Sequence, residues 1–261
     1  MEFLHKRVWI TGASSGIGES LAYAFANEGA HLILSGRNLK ELERVKLNCK
    51  DASLVELVPL DISNHQQLLE RVEQVNGPID ILINNAGISQ RSLLVDTSFE
   101  VEKQMIDVNL LGTIAMTKAI LPRMLQQRSG KIVTVSSIMG KLGAPLRSAY
   151  AASKHGLHGY FDTLRAECYK DNIKVLIVCP GYVQTNISIN ALTANGTTQG
   201  TMDAATAKGL KPEVAAQQIL KAISSDKEEV IVAALREQVA VLLKRFTPGL
   251  LSKIIRKAKT V

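Results

Sequence analysis

Short apolar runs alternate with amphipathic stretches along the chain. The runs have the length of strands, and several are continuous, which is typical of parallel strands covered on both faces. They fall near Val8 and Ile33 and at residues 55–59, 79–83, 131–136, 175–179 and 230–232. Helical spacing marks residues 39–47, 68–75, 101–125 and 214–223. The alternation predicts an α/β fold with a doubly wound parallel sheet of about seven strands, helices on both faces, and ligands at the carboxyl ends of the strands.

Composition narrows the class of protein. The chain has 261 residues, of which 46% are hydrophobic, and no linker or repeat interrupts it, so residues 1–261 are predicted to form one domain. We expect no secretory signal, no amino-terminal anchor and no apolar stretch near the roughly 20 residues of a membrane span. Cys49, Cys168 and Cys179 lack metal-ligand spacing, which favours free thiols, no metal site and a cytoplasmic location.

A glycine-rich turn follows the first strand. The segment reads Thr11-Gly12-Ala13-Ser14-Ser15-Gly16-Ile17-Gly18, and a helical pattern comes directly after it. Backbone N–H groups at such a helix start bind phosphate, and glycine permits close approach. The sequence therefore predicts a dinucleotide site, although a glycine turn without a ligand is the alternative. Its predicted contacts are Gly12, Ser14, Ser15, Gly16, Ile17 and Gly18.

The second strand indicates which dinucleotide binds. It ends at Gly36-Arg37-Asn38, where an acidic residue would bind the adenine ribose hydroxyls of NAD. No carboxylate is present there to repel a 2′-phosphate, and the planar guanidinium of Arg37 suits one. We therefore expect NADP(H) rather than NAD(H), with a merely solvated arginine as the alternative.

Tyr150 and Lys154 lie one helical turn apart in the segment Tyr150-Ala151-Ala152-Ser153-Lys154. An ammonium group near a phenol favours the phenolate and lowers its pKa, which suits acid/base chemistry near neutral pH. A solvated surface pair is the alternative for this spacing taken alone.

Taken together, these motifs resemble those of the short-chain dehydrogenase/reductases. The resemblance runs from Val8 to about Val232, and its order and separations are highly specific. Its marks are the glycine turn, Asp61, Asn84-Asn85-Ala86-Gly87, Asn109, Ser137, Tyr150 with Lys154, and Pro180-Gly181 followed by Thr185. It implies an oxidoreductase that transfers a hydride between NADP(H) and a carbonyl compound or secondary alcohol. A non-catalytic dinucleotide sensor on the same fold is the alternative.

The resemblance also implies roles for four catalytic residues. Tyr150 would be the general acid or base, and Ser137 would donate a hydrogen bond to the reacting oxygen. Ser137 is preferred to Ser136 because members of the family separate the serine and the tyrosine by the same interval. Lys154 would also hold the nicotinamide ribose. Asn109 would hold a proton-relaying water, with a buried amide that satisfies the backbone as the alternative.

The remaining implied contacts also concern the cofactor. Asp61 would accept from the adenine amino group, or else only form a turn. The backbone of Asn85, Ala86 and Gly87 would line the adenine ribose. The resemblance places the nicotinamide carboxamide against Pro180, Gly181, Val183 and Thr185.

Two later segments bear on the substrate. Residues 186–209 have little periodicity and are predicted to be a substrate-binding lid. In the tail, residues 235–261, seven basic residues stand against one acidic residue, which gives +6 of the formal charge of +7. Its apolar positions Leu235, Val239, Leu242, Leu243 and Phe246 share one face, and Leu250, Leu251, Ile254 and Ile255 resume it after Pro248-Gly249. Packing on the protein or a partner subunit is the plainer interpretation, and peripheral contact with an anionic membrane is the other.

The tail and the loop 190–193 resemble a subgroup whose eukaryotic members are membrane-anchored, one of which resembles a reductase of acyl-dihydroxyacetone phosphate. This likeness raises the hypothesis of a hydrophobic or lipid-like ketone as the small-molecule substrate. Nucleic-acid binding is not expected, since no such motif is present. The family resemblance further implies a homodimer or homotetramer.

Overall fold

The computed structural model describes residues 2–257 and contains a seven-stranded parallel sheet. The strands are β1 (Arg7–Thr11), β2 (His31–Ser35), β3 (Val55–Leu57), β4 (Ile81–Asn84), β5 (Gly130–Val135), β6 (Ile173–Pro180) and β7 (Glu229–Val232). Their order in the sheet is β3-β2-β1-β4-β5-β6-β7. The α/β fold predicted from the apolar runs is confirmed, and each predicted strand overlaps an observed one.

Helices cover both faces of the sheet. They are α1 (Gly16–Asn27), α2 (Leu39–Asn48), α3 (His65–Gln74), α4 (Phe99–Ile106), α5 (Thr113–Gln127), α6 (Ser148–Glu167), α7 (Ala204–Ala207), α8 (Pro212–Ser224), α9 (Leu235–Phe246) and α10 (Pro248–Ile255). Side chains of α1, α2 and α8 pack into the core on one face, and side chains of α3, α5 and α6 pack into the core on the other. Burial on both faces explains why the strands are continuous apolar runs.

The strand order places a crevice between β1 and β4. β1 pairs with β2 on one side and with β4 on the other, in parallel register. The chain therefore leaves the centre of the sheet in opposite directions from these two strands, which is the switch point where doubly wound sheets bind ligands. The glycine turn that follows β1 and the segment that follows β4 both open into this crevice.

One long helix departs from the expectation about membrane-spanning stretches. Residues Phe99–Gln127 form a continuous helical segment in which a π-helical turn, Asp107–Gly112, joins α4 to α5. By length and composition this segment is apolar enough to cross a membrane, and an 18-residue window within it has a mean hydropathy of 1.2, so the expectation of no such stretch was wrong. Its buried side chains Met116, Ile120 and Met124 pack in the core beside the sheet. This contact accounts for the apolar composition of α5.

A third apolar cluster lies apart from the two faces of the sheet. It contains Tyr150 of α6, Leu192 of the 186–209 segment and Leu251 of α10, and Val241 and Leu243 of α9 pack against it. The tail therefore packs on the protein through these residues. Other tail residues of the predicted apolar face are exposed, namely Leu235, Val239, Leu242, Phe246, Leu250 and Ile254. Lys259 and the end of the predicted tail lie outside the described residues.

The 186–209 segment contributes Leu192 to this cluster. Isolated bridges join Leu192 to Gln90 and to Thr198, and α7 forms near the end of the segment. Asp203, immediately before α7, is buried. The segment is therefore held against the body of the protein at several points, among them Leu192, Ala194 and Asp203.

Candidate functional site

A cleft of about 330 Å³ opens at the carboxyl ends of the central strands. It brings together every predicted site residue except Gly18 and Asn109, which do not line it. The predicted residues that line it are Gly12, Ser14, Ser15, Gly16, Ile17, Arg37, Asp61, Asn85, Ala86, Gly87, Ser137, Tyr150, Lys154, Pro180, Gly181, Val183 and Thr185. Residues from seven separate segments thus meet in one elongated site.

The glycine turn has a backbone that a side chain would disturb. Gly12 has a φ of +65°, and a Cβ there would lie 2.7 Å from the Cα of Ala86. Gly16 has a φ of +60°, and its Cβ would lie 2.9 Å from the Cγ2 of Thr185. Both positions therefore require glycine for conformation and for space. The short distance between Gly16 and Thr185 also places Thr185, which follows β6, against the start of α1.

Hydrogen bonds fix this turn to the end of β4. The Asn85 amide donates to the backbone oxygens of Thr11 and Gly12 at 3.0 and 3.1 Å. The Thr11 hydroxyl accepts from the backbone N–H groups of Asn85 and Ala86 at 3.0 and 3.1 Å. Because these backbone and side-chain groups are satisfied within the protein, the turn keeps its shape without a ligand. Such a preformed cradle fits a dinucleotide phosphate.

Arg37 lies exposed at one end of the cleft, directly after β2. The carboxylates of this corner are engaged by another arginine. Arg44 pairs with Glu19 at 2.7 Å and with Glu41 at 2.8 Å, and its guanidinium reaches the backbone oxygen of Ser14 at 3.4 Å. The corner therefore presents the Arg37 guanidinium without an opposing free carboxylate from Glu19 or Glu41.

Asp61 lines the cleft after β3 but also shapes its own turn. Its Oδ1 accepts from the backbone N–H of Ser63 at 2.9 Å and from the Ser63 hydroxyl at 2.7 Å. This is the turn-forming role that the sequence left open. The carboxylate keeps its second oxygen for a further donor, so turn formation and contact with a ligand are compatible.

Tyr150 and Ser137 meet at the other end of the cleft. Burial of the phenol raises the pKa of Tyr150, and this outweighs the lowering by the hydrogen bond with Ser137 and by the charges of Arg91 and Arg147. We expected Lys154 to lower that pKa, and in this structure the shift has the opposite direction. A raised pKa keeps the phenol protonated, which is the form that donates to an oxygen.

The Lys154 ammonium is hydrogen-bonded to the backbone at the end of β5. Its Nζ donates to the backbone oxygen of Val135 at 2.9 Å and lies 5.8 Å from the centre of the Tyr150 ring. Burial lowers the pKa of Lys154 to about 8. An ammonium with one protein acceptor retains two N–H groups, and Lys154 lines the cleft, so these donors are placed to meet a ligand.

Asn109 lies in the π-helical turn and is fully buried. Its Oδ1 accepts from the backbone N–H of Ile88 at 2.8 Å, and its Nδ2 donates to the backbone oxygen of Ile88 at 3.0 Å. The Asn109 side chain therefore satisfies the backbone of Ile88, which is the alternative role that the sequence left open. A Cβ on Gly87 would lie 3.0 Å from the Asn109 Oδ1 and 3.6 Å from the Lys154 Nζ, so Asn109 and Lys154 both border the same small space.

Three buried charged residues at this end were missed by the sequence analysis. Arg91 donates from Nε and Nη2 to the Oδ2 of Asp203 at 2.8 and 2.6 Å, and Arg147 approaches the same oxygen at 3.5 Å. Burial lowers the pKa of Arg147. Arg147 could have been noticed in the sequence because it lies three residues before Tyr150. No local pattern in the sequence connects Arg91 with Asp203.

The structure also brings together a group that the sequence analysis did not expect. Ligand atoms of His158, Cys179 and Glu229 lie within 4.8 Å of one another. Burial raises the pKa of the Cys179 thiol to about 12, and the Glu229 carboxylate pairs with Lys141. A zinc site uses a thiolate, so this arrangement favours a hydrogen-bonded cluster over a metal centre. Cys179 itself is fully buried, as core packing predicted.

The geometry supports acid/base chemistry on an oxygen between Ser137 and Tyr150. A phenol that stays protonated, a neighbouring hydroxyl and nearby guanidinium charges stabilise negative charge on such an oxygen. The opposite end of the cleft carries the phosphate cradle. The cleft thus joins a glycine cradle at one end to Ser137 and Tyr150 at the other.

Comparison with known proteins identifies relatives over most of the chain. The short chain dehydrogenase family matches residues 6–196. A dehydrogenase/reductase SDR family protein 7-like from Anopheles gambiae is 42% identical over 97% of this chain and 82% of its own length. Dehydrogenase/reductase SDR family member 7B from Bos taurus is 42% identical over 95% of this chain and 79% of its own length.

Solved structures share the same fold. A short chain dehydrogenase/reductase from Burkholderia phymatum in complex with NAD has a TM-score of 0.84 and 25% identity, covering 96% of each chain. The closed form of a serine dehydrogenase complexed with NADP⁺ has a TM-score of 0.79 and 25% identity, covering 88% of this chain and 95% of its own. Similar structures thus include complexes with either dinucleotide.

Proposed function

The chain belongs to the short-chain dehydrogenase/reductase family and is an oxidoreductase, and from this premise we propose that it transfers a hydride between NADP(H) and a carbonyl compound or secondary alcohol. The meeting of Tyr150, Ser137 and Lys154 at one end of a cleft that begins in a glycine cradle carries the proposal. The family match does not favour the alternative of a sensor without activity.

Each residue has a defined task in this proposal. A bound nicotinamide dinucleotide would supply or accept the hydride. Tyr150 donates its proton to the carbonyl oxygen in reduction and accepts it in oxidation, and Ser137 donates a hydrogen bond to the same oxygen. Lys154 holds ribose hydroxyls, Asn109 retains a proton-relaying water near Lys154, and Asp61 accepts from the adenine amino group. Asn85, Ala86 and Gly87 line the adenine ribose, and the loop Pro180, Gly181, Val183 and Thr185 holds the carboxamide.

Loss of NADPH absorbance with a panel of ketones tests this proposal. Tyr150→Phe is expected to lower kcat about 10²- to 10⁴-fold, the usual contribution of general acid catalysis, while NADPH still binds. Tyr160→Phe is the matched control, because Tyr160 lies on the same helix and is only partly buried. A Tyr150→Phe variant as fast as the parent protein would refute the assignment, and NADPH binding without turnover of any ketone would favour the sensor.

The preference for NADP(H) rests on Arg37. Its guanidinium borders the cleft, and Arg44 neutralises the nearby Glu19 and Glu41, so a 2′-phosphate would meet a positive corner.

Arg37→Ala is expected to raise KM for NADPH about tenfold, the equivalent of one charged hydrogen bond, and to leave KM for NADH unchanged. Steady-state kinetics with both cofactors measures this difference. Arg71→Ala, on the distant helix α3, is the control. An equal or lower KM for NADH in the parent protein would contradict the preference.

An apolar substrate and peripheral membrane contact are proposed from the tail. Leu235, Leu242 and Phe246 are exposed by 76%, 56% and 72%, although large apolar side chains on a surface helix usually face the protein. Basic residues lie on the same helices, including Arg236, Lys244, Arg245 and Lys253. An exposed apolar stripe with flanking cations suits an anionic lipid surface. Residues 186–209 would cover the bound substrate.

Sedimentation with vesicles tests the tail. The protein is expected to bind vesicles containing phosphatidylserine more strongly than phosphatidylcholine vesicles, and Leu242→Ser with Phe246→Ser should weaken that binding. Leu47→Ser is the control, because Leu47 on α2 is exposed by 77% and lies outside the tail. Equal binding by the double variant and the parent would reject the membrane contact, and equal rates with short and long ketones would reject the apolar substrate.

The chain is proposed to act as one domain, residues 1–261, that assembles into a homodimer or homotetramer. Assembly is typical of the family, and Phe99 and Leu111 of the long helical segment are exposed. Light scattering after gel filtration is expected to give two or four times the chain mass of 28.4 kDa. Phe99→Asp should shift the protein towards the monomer, and a monomeric parent protein would contradict the proposal.

A further inference from the structure

We propose that Ser89 selects the substrate by donating a hydrogen bond to a second oxygen atom of the ketone, close to the reacting carbonyl. The inference rests on the proposed reductase function and deepens it, because it assigns a residue that recognises the substrate and a chemical class of substrate. That class is a ketone with an ether, ester or hydroxyl oxygen near its carbonyl group.

The Ser89 hydroxyl lies in the wall of the cleft and is only half matched within the protein. The residue is 3% exposed, and it lines the cleft. Its hydroxyl oxygen accepts a hydrogen bond from the Nη1 of Arg91 at 2.7 Å. A serine hydroxyl also carries one hydrogen to donate, and among the described residues 2–257 no acceptor is bonded to it. Buried polar groups are normally matched, so an unmatched donor in the wall of a cleft indicates an acceptor on a ligand.

A structural role as a partner of Arg91 does not account for this hydroxyl. Arg91 is anchored without it, because its Nε and Nη2 donate to the Oδ2 of Asp203 at 2.8 and 2.6 Å. Its Nη1 also donates to the backbone oxygen of Gln90 at 2.7 Å. A hydroxyl that accepts from a charged donor is polarised by it and becomes a stronger donor itself. Arg91 therefore prepares Ser89 to donate to an acceptor in the cleft.

Backbone hydrogen bonds hold Ser89 in a defined position beside Leu192. The Leu192 N–H donates to the backbone oxygen of Ser89, and the Arg91 N–H donates to the backbone oxygen of Leu192, both at 2.8 Å. Ser89 and Arg91 thus flank the bridge between Gln90 and Leu192. The donor is therefore oriented before a substrate binds, which lowers the entropy cost of the hydrogen bond.

Gln90 places this segment beside the start of α6. Its Oε1 accepts from the backbone N–H of Ala149, the residue before Tyr150, at 3.2 Å. Burial raises the pKa of Tyr150, and the charge of Arg91 is among the interactions that oppose this rise, so the guanidinium lies within electrostatic reach of the phenol. Since Ser89 contacts Arg91 directly, its hydroxyl lies close to the oxygen that Tyr150 is proposed to protonate.

The valence of the carbonyl oxygen separates Ser89 from the two donors already assigned. A carbonyl oxygen has two lone pairs, and in the proposed reaction the hydroxyls of Tyr150 and Ser137 occupy both. A third hydroxyl in the same cleft therefore meets a different acceptor, an oxygen one or two carbons from the carbonyl. A ketone that lacks this oxygen leaves the buried donor unpaired, and sites that hydrogen-bond their substrate discriminate in this way.

The first test is the steady-state reduction of ketones that differ by one oxygen. One pair is 1-methoxyhexan-2-one and octan-4-one, and the other is 1-methoxyheptan-3-one and nonan-5-one. In each pair an ether oxygen replaces a methylene group. Ser89→Ala is expected to lower kcat/KM for at least one ether about 5- to 10-fold, chiefly through a higher KM, and that for its partner less than about twofold. Comparing the variant with the parent protein cancels the intrinsic difference in reactivity between the two ketones.

Two further variants separate recognition from structure. Ser89→Thr keeps a hydroxyl and should recover part of the loss. Ser92→Ala is the matched control, because Ser92 is a buried serine of the same segment whose hydroxyl contacts Gln90 and Thr97 and which does not line the cleft. Equal losses for each ether and its partner, or no loss for either ether, would overturn the proposal. A raised Kd for NADPH in Ser89→Ala would assign the hydroxyl to the cofactor and would also overturn it.

The second test measures binding without turnover. The four corresponding alcohols are titrated by calorimetry into the complex of the protein with NADPH, which cannot oxidise them. Ser89→Ala should weaken the binding of at least one ether alcohol about 5- to 10-fold and leave that of its partner unchanged, and equal effects within both pairs would overturn the proposal. Thermal unfolding shows whether Ser89→Ala folds, and Ser89→Gly takes its place if it does not. An ether-specific loss of binding, with no reduction of any ketone by the parent protein, would reject the reductase function and leave the role of Ser89 standing.

Discussion

The two ends of the cleft are built in different ways. At the cofactor end, backbone atoms and short segments form the surface: Gly12 and Gly16 bend the chain, and the Asn85 amide holds the turn to β4. At the substrate end, side chains from distant segments form the surface. Arg91, Arg147 and Asp203 meet near Tyr150, and Leu251 of the tail belongs to the same apolar cluster as the tyrosine.

The difference shows where each property of the site is encoded. Backbone geometry needs particular residues at fixed local spacing, so a change there acts through conformation and close contact. Side chains gathered from distant segments act through charge and packing, so changes there should alter the choice of substrate and leave dinucleotide binding intact. Three predictions test this division.

The largest expected effect concerns Lys154, which lines the cleft near the ring of Tyr150. Burial lowers its pKa to about 8, against about 10.4 in an unfolded chain. Between these values the unfolded state binds more protons than the folded state, so the contribution of Lys154 to the free energy of unfolding rises with pH. The free energy of unfolding of the parent protein, relative to Lys154→Met, should increase by about 3 kcal/mol from about pH 7.5 to about pH 10.5.

Urea unfolding at a series of pH values measures this difference. Lys118→Met, at an exposed position of α5, controls for the loss of a lysine as such. A difference between the parent and Lys154→Met that stays constant across the series would mean that Lys154 is not held in a desolvated site.

The next effect concerns the cofactor end. A Cβ on Gly18 would lie 2.3 Å from the backbone oxygen of Gly12 and 2.5 Å from the Nδ2 of Asn85. Gly18→Ala must displace the turn, although Gly18 does not line the cleft, and is expected to raise the Kd for NADPH about 100-fold. Fluorescence titration with NADPH measures it. Gly143→Ala, where nothing lies within 4 Å of an added Cβ, should bind NADPH like the parent. Equal affinities of the two variants for NADPH would mean that backbone geometry at Gly18 does not control cofactor binding.

The smallest effect concerns the substrate end. Leu251 is 3% exposed, whereas its neighbour Leu250 is 50% exposed. Leu251→Ala should lower the free energy of unfolding by about 2 kcal/mol, as expected for a leucine truncated in a cluster that can partly relax, and should raise KM for the ketone. Leu250→Ala is the control for both measurements. A weaker affinity for NADPH in Leu251→Ala would show that the two ends are not separable.

The sequence predicted the cofactor end because its constraints are local. Gly12, Gly16 and Gly18 follow an apolar strand, and Arg37 follows the next one, so their positions could be inferred from spacing alone. The sheet was predictable for a related reason: strands such as β4 and β6 are buried on both faces and appear as continuous apolar runs.

The buried ion pairs of the substrate end were not predicted, because they join segments far apart in the chain. Arg91 and Asp203 are separated by 112 positions, and no periodicity relates them. The direction of the pKa shift at Tyr150 was also missed. Spacing gives the position of Lys154, but it reveals neither the burial of the phenol nor the hydrogen bond of the ammonium to Val135. In the tail, the predicted face was continuous, but packing through Val241, Leu243 and Leu251 leaves Leu242 and Phe246 exposed.

The strand order has a consequence for synthesis of the chain on the ribosome. β1 is made first, yet one of its neighbours, β4, follows only at Ile81–Asn84, and the last strand, β7, ends at Val232. Parallel pairing over such separations forms slowly, since long loops must close first. A nascent chain released from the tunnel as far as β4 has both walls of the phosphate cradle, while the loop after β6 is still to be translated. The loop after β6, whose Thr185 lies against Gly16, can therefore complete the cradle only late in synthesis.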